Sequence, residues 1–357
     1  MNRRGFLLRG AAATAATALA TQGWAAAGGP SFLTAANRAD NSTWLVGLGG
    51  DGDVRFALPI PARGHAAAAH PHRAEAVAFA RRPGRFAAVI DCVAGTEIAE
   101  LQSPDGRHFY GHGAFSADGR LLYTTENAYD VPDGRLGIWD ASDGYRRVGE
   151  IASGGLGPHE IIRLDDGGFA VANGGVQTHP DYERVKLNVP TMRPNLTYLS
   201  AAGTIVEQVA PPAELHQLSI RHIDAAAGGP VVMALQWEGD PRQLVPLAAM
   251  HRRGEDLRLL DHPDMASLKQ FGGSVAISGD LSEFAVTSPK GGSVLYFDPG
   301  NGAARGSEAL PEASGVAREG DGLAITLAGA IGYRTGGHTE ICARTDDWTW
   351  DNHLVRI

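Results

Sequence analysis

Short apolar runs closed by glycine-containing turns set the pattern of this chain. Gly111-His112-Gly113-Ala114-Phe115-Ser116 leads through Ala117-Asp118-Gly119 into the run from Arg120 to Glu126. In the same way Gly157-Pro158-His159-Glu160-Ile161-Ile162 leads through Asp165-Asp166-Gly167 into Gly168 to Asn173. Both segments read as β-hairpins, because Asp-Gly supplies the positive φ that a tight connection needs. His112 and His159 occupy the same place in the two hairpins, 47 residues apart, and another 47 residues back stands Gly64-His65, followed by the strand-like run Glu75 to Ala80.

A second marker recurs where a third strand should end. Ile90-Asp91 with Gly95, Trp139-Asp140 with Gly144, and Phe297-Asp298 with Gly302 each close a hairpin into a fourth strand. A four-strand unit repeating about every 47 residues predicts the blade of a β-propeller. Repeats two to seven fall near 64–105, 111–153, 157–210, 216–263, 272–310 and from about 313. Three further strands lie between Phe32 and Leu58, and His353 to Ile357 supplies the inner strand they lack. The expected fold is therefore all-β: a seven-bladed propeller over 28–357, its ring closed by N- and C-terminal segments sharing one blade, which removes sheet edges. Weak markers in the seventh repeat leave six or eight blades open.

Composition agrees with many strands and tight turns. Glycine contributes 47 of 357 residues and charged residues only 20%. The net charge is −9. Nucleic acid is excluded as an expected partner, since phosphate binding needs a basic face. Met1-Asn2-Arg3-Arg4-Gly5-Phe6-Leu7-Leu8, an Ala/Thr-rich stretch and Ala25-Ala26-Ala27 resemble a cleaved twin-arginine export signal over 1–27, which predicts a periplasmic protein exported folded. No apolar stretch is long enough to predict an integral membrane segment after cleavage. Cys92 and Cys342 form no CxxCH or zinc-ribbon spacing, so covalent haem is not expected; whether they form a disulfide stays open.

Candidate chemistry concentrates at one address. Under the blade layout, inner strands begin at or beside His65, His112, His159, His216 and His353, while the sixth and seventh repeats offer Ser274 and Ser314. These five histidines are the expected metal ligands. The competing reading is that they bond backbone, as Gly-His positions do in WD-type repeats. Glu126 and Asn173, at second-strand ends, are expected at the same rim, with Glu126 the nearest carboxylate. A long insertion at 175–193, carrying His179, Tyr182, Arg184, Lys186 and Arg193, reads as a lid or ligand contact. Glu126, Asn173, Tyr182, Arg184 and Arg193 are thus the cofactor-binding candidates; His70, His72 and His222 read as secondary or structural.

The arginine leader, the segment 111–119, Gly157-Pro158-His159-Glu160, Met192-Arg193-Pro194-Asn195-Leu196 and Leu215-His216-Gln217-Leu218-Ser219-Ile220-Arg221-His222 together resemble an exported bacterial family known as domain of unknown function 1513. The resemblance implies a seven-bladed propeller encoded near imelysin-like proteins of iron acquisition, hence other periplasmic iron-handling proteins as partners. The leading expectation is a metal-binding or metalloredox propeller with copper or iron at the histidine-lined channel, similar to the copper-bearing propeller of nitrous-oxide reductase without its second copper domain. Two alternatives stand beside it: a lactonase-like hydrolase with a divalent cation held near Glu126 and Asn173, and a non-catalytic scaffold.

Overall fold

The computed structural model describes residues 23–80, 86–182, 185–345 and 347–357. Most of the expected leader and Arg184 lie outside the described residues. Seven antiparallel sheets form a closed ring, and in six of them the order of strands follows the chain. Blade 2 runs Gly64–Ala69, Glu75–Ala80, Phe86–Asp91 and Thr96–Gln102; blade 3 runs Arg107–Phe115, Leu121–Ala128, Asp133–Asp140 and Arg146–Ala152. Blade 4 comprises Pro158–Arg163, Phe169–Asn173, Asn195–Leu199 and Ile205–Val209, and blade 5 Leu218–Ala225, Val231–Trp237, Ala248–His251 and Arg258–Leu260. Ser274 opens blade 6 and Val316 blade 7.

The repeating markers are local turn chemistry. Asp91 Oδ1 accepts from the N–H groups of Val93 and Ala94 at 2.8 and 2.9 Å, and Gly95, at φ 68°, donates to the Asp91 carbonyl. Asp298 does the same with Gly300 and Asn301, ending on Gly302 at φ 70°. A carboxylate two residues ahead of the turn and a glycine in the left-handed region fix the hairpin without help from the rest of the fold.

Burial explains why the repeats read as continuous apolar runs rather than alternating ones. Each blade packs on a neighbour on both faces, so second strands such as Phe169–Asn173, Phe284–Ser288 and Gly322–Leu327 are buried along their whole length. Outer strands such as Ala304–Ala309 are largely exposed. Between blades, Phe79, Phe109, Phe115 and Trp139 fill one interface, and Met233, Leu235, Phe284 and Phe297 belong to another cluster.

Blade 1 closes the ring. Phe32–Asn37 is its second strand, followed by Thr43–Leu48 and Val54–Pro59, and the inner strand comes from the other end of the chain. Trp350 pairs with Ala36, and Val355 with Leu33. Between these pairings the strand is interrupted: residues 351–354 bow away opposite Thr34 and Ala35, held by Thr34 Oγ1 donating to the His353 carbonyl at 2.7 Å and the Asp351 N–H to the Ala35 carbonyl at 2.9 Å. Deleting residues 353–357 removes the Thr34–His353 bond, the pairing of Val355 with Leu33 and the buried Leu354, and should cost at least about 3 kcal/mol. A thermal melt unchanged by the deletion would contradict closure through this segment.

Candidate metal centre

The inner strands do not hold regular register where histidines occur. Pairing with the second strand shifts between Gly64 and Ala67, between Phe109 and Gly113, between Pro158 and Glu160, and between Ile220 and His222. Each shift spans or adjoins a histidine: His65, His112, His159 and His222. The interruption at 351–354 carries His353. Inner strands of blades 6 and 7 carry no shift and no histidine. A bulge bends the strand and re-aims one side chain, here from the blade interface into the channel.

The five imidazoles meet there. His112 lies at the hub, its ring centroid 5.0 Å from His65, 4.8 Å from His159, 5.8 Å from His222 and 4.6 Å from His353. Around it His65 stands 4.3 Å from His353, and His222 is 4.8 Å from both His353 and His159. Three overlapping sets bring one donor atom each within 4.8 Å of one another: His65, His112 and His159; His112, His222 and His353; and His65, Asp351 and His353. Small shifts would bring such donors to the roughly 2 Å bonds of a shared ion.

Two carboxylates stand behind the rings. Glu160 places one oxygen 3.4 Å from His112 Nδ1 and the other 3.4 Å from His222 Nδ1, and also accepts from the Ile223 N–H at 2.8 Å. Asp351 lies 3.7 Å from His65 Nδ1. On His112 and His222 the Glu160 carboxylate at Nδ1 favours the tautomer that leaves Nε2 with its lone pair, the arrangement behind a metal-ligating imidazole, while His65 and His353 face each other Nε2 to Nε2 at 3.3 Å. His112 Nε2 is buried and has no hydrogen-bond partner.

Electrostatics favour neutral rings. Burial, then the Arg221 guanidinium and the neighbouring imidazoles, hold His159 well below its usual 6.5. Burial and the other rings likewise hold His353 well below it, and burial lowers His222 despite Glu160. For Glu160 burial acts to raise the pKa, but hydrogen bonds and charges from His112 and His222 prevail and keep its carboxyl well below 4.5.

Four of the five expected histidines are therefore brought together, and the fifth position belongs to His222. His216 follows the short turn Ala213–Leu215, with Nδ1 3.1 Å from the Ala213 carbonyl, away from the cluster. The displacement comes from the insertion. The connection between second and third strands is four residues in blade 3, from Ala128 to Asp133, but 21 residues in blade 4, from Asn173 to Asn195. That excess is larger than the period alone suggests, and carrying it forward from His159 leads to His222. Blade 5 also pairs three residues, Leu218 to Ile220, before its bulge, as blade 3 pairs Arg107 to Phe109 before His112.

The second-strand candidates are turned into the blades, because the inner strand already covers the channel and alternate residues behind it point between sheets. Glu126 is fully buried against Arg147, with Nη1–Oε1 and Nη2–Oε2 distances of 2.6 and 2.9 Å, and accepts from Thr124 Oγ1; burial raises its pKa. The nearest carboxylates to the imidazoles are Glu160 and Asp351 instead. Asn173 bonds Ser153, Asn195 and Thr197. Tyr182 is 56% exposed and Arg193 is exposed, both outside the cluster. The sequence did contain Glu160, directly after His159, but its role depends on His222 arriving from the next blade.

Below the rings a cavity of about 450 Å³ occupies the channel, lined among others by His112, Glu160, His222, Asp224, Arg318 and His353. Residues 58–357 match the family described as Protein of unknown function (DUF1513). The chain belongs to this family. A search of curated proteins finds no match. Among solved structures the chain is similar to hydrazine synthase of Kuenenia stuttgartiensis, at 13% identity and TM-score 0.61 over 87% of this chain and 91% of that one. It is similar too to the β-propeller domain of Myceliophteria thermophila Cps50 (Swd1), at 10% identity and TM-score 0.57 over 83% and 90%, and to Saccharomyces cerevisiae Sqt1, at 12% and 0.51 over 79% and 85%. At such identity these likenesses show the propeller fold alone.

If Glu126 belongs to blade packing and not to the channel, Glu126→Ala should destabilise the protein by about 2 kcal/mol, since the partly buried Arg147 guanidinium loses its bidentate partner and keeps only Glu150. Its metal content per folded molecule should equal that of the parent. A variant as stable as the parent but poorer in metal would return Glu126 to the site.

Proposed function

We propose that this DUF1513 member is an exported periplasmic protein that binds a first-row transition metal, copper or iron, at the channel histidines and serves redox chemistry or metal handling. The observation that carries the reading is the convergence of His65, His112, His159, His222 and His353, each re-aimed by a break in its inner strand, with Glu160 and Asp351 behind them. Imidazole suits copper and iron alike, and the donor set does not choose between them. Metal at such a site would supply Lewis acidity or an electron-transfer centre, and Glu160 on the Nδ1 atoms of His112 and His222 favours the tautomers that leave their Nε2 atoms free to ligate. Other iron-handling proteins of the periplasm are the partners this reading favours. The lactonase-like reading relies on Glu126 and Asn173 as oxygen ligands, and both are committed inside the blades.

Elemental analysis of protein exported and purified without added metal tests this directly. The parent should carry copper or iron. Replacing His112 and His159 together by Ala should abolish loading while the protein still folds, and His216→Ala should leave the metal content unchanged. Equal metal in the double variant and the parent would refute the reading.

The metal-free protein should also be acid-sensitive. His159, His222 and His353 have pKa values depressed below 6.5, so the unfolded chain takes up their protons first as the pH falls. The stability they contribute is complete above about pH 6.5 and is lost as the pH drops through their depressed values. The melting temperature of the metal-free protein should therefore decline from about pH 7 to pH 5, and added metal should raise it at pH 7. A metal-free melt that improves on acidification would argue against neutral buried rings.

A further inference from the structure

The insertion at 175–193 reads from sequence as a lid, yet the structure makes it a roof of blade 4 tied to the blades on either side. The Tyr110 hydroxyl donates to the Val176 carbonyl at 3.1 Å, and the Asn127 amide to the Thr178 carbonyl at 2.8 Å, both from blade 3. Within the insertion Asn188 accepts from the Gln177 N–H at 2.7 Å and donates to the Gly175 carbonyl at 2.9 Å. On the blade 5 side Gln217 donates to the Val189 carbonyl at 3.3 Å, and Lys186 pairs with Glu238. Val176, Thr178 and Met192 of the insertion are themselves buried.

The opposite face is open. The cavity under the rings reaches Asp165 in the first hairpin of blade 4, Ala227 in that of blade 5, and Arg356, all three exposed. These lie at the far ends of the inner strands from the histidines. Carboxylates mark the path between. Asp165 stands at the mouth; Asp224, two residues beyond His222, is about 7 Å along the strand from it; Glu160 is at the level of the rings. Arg318 and Arg356 also line the cavity. Asp224 accepts from the Ile277 N–H at 2.8 Å and Arg318 Nε donates to the carbonyl of the same residue at 3.3 Å, so blade 6 holds both in place. At the inner end His112, 4% exposed, lines the cavity, and its buried Nε2 lacks a partner.

Resting on the metal reading above, we propose that this channel is the loading route: a divalent cation enters at Asp165, passes Asp224 and reaches the imidazoles, while the insertion stays shut as a fixed roof. Carboxylates along a low-dielectric bore raise the local concentration of a cation and so its rate of arrival. They act on the rate of loading, whereas the histidines set how much is bound. Route and site are therefore separable by experiment.

The probe is Co(II), whose ligand-field absorption reports nitrogen coordination, mixed rapidly with metal-free full-length protein. Asp224→Asn and Asp165→Asn should each slow the appearance of the absorption, roughly fivefold for Asp224→Asn at low salt, and reach the parent's final amplitude. Lys186→Ala, which releases the insertion's tie to Glu238, should load at the parent's rate. Uptake at the parent's rate in both carboxylate variants, or faster uptake in Lys186→Ala, would overturn the route and leave the metal reading standing. A parent protein that gains no cobalt absorption at equilibrium would overturn the metal reading and the route with it. Should Asp224→Asn melt far below the parent, the exposed Asp165→Asn still decides the outcome.

Discussion

Five imidazoles can share a space out of water only while nearly all of them are uncharged, and much of this molecule's centre follows from that constraint. A second proton among rings 4–6 Å apart would meet both the loss of hydration and the repulsion of the first. Burial answers it by pressing His159, His222 and His353 toward the neutral form. Glu160 then bridges two strands from different blades, taking His112 on one oxygen and His222 on the other. Its negative charge is tolerated because two imidazole N–H groups and the Ile223 N–H surround it. Neutral rings with fixed tautomers are also the state in which nitrogen lone pairs are available, so the condition for burying the cluster and the condition for ligation coincide.

The backbone bears the cost of this arrangement. A regular inner strand would alternate its side chains between the two flanking blades, and no regular strand can turn a residue squarely into the channel. Breaking register does so, but each break gives up ladder hydrogen bonds. Blades 6 and 7 show the other choice. Their strands keep register, Ser274 Oγ accepts from the Val316 N–H, and the Ser314 carbonyl accepts from Thr287, so these positions serve the joint between blades. A β-propeller domain only 10% identical shares the ring with this chain, but the ring itself dictates no chemistry.

What the sequence reveals here is what local rules govern. The blade period and the Asp-x-x-x-Gly turns are legible because each depends on residues close together, and the shared first blade because three strands at one end of the chain and one at the other add up to a blade. His65, His112 and His159 are legible because they recur at the period, and His353 because the first blade lacks an inner strand that the end of the chain supplies. His222 is hidden by an insertion whose length cannot be counted until the strands on either side of it are known, and His216 is near enough to stand in for it. Glu126 is misread for another reason: hydrophilicity at a strand end suggests a rim, but a carboxylate can be buried where Arg147 meets it from two strands away. Glu160 and Asp351 acquire their roles only when separate blades are brought side by side.

The interrupted inner strand of blade 1 has a temporal meaning. It carries both His353 and Asp351, and it pairs with Phe32–Asn37, more than 300 residues earlier in the chain. During synthesis every other donor of the cluster emerges before these two, and contacts of such long sequence separation are among the slowest to form. The histidine cluster is thus incomplete in any molecule whose ring has not yet closed. Completion of the five-histidine cluster and circular integrity are one event, reached at the end of folding.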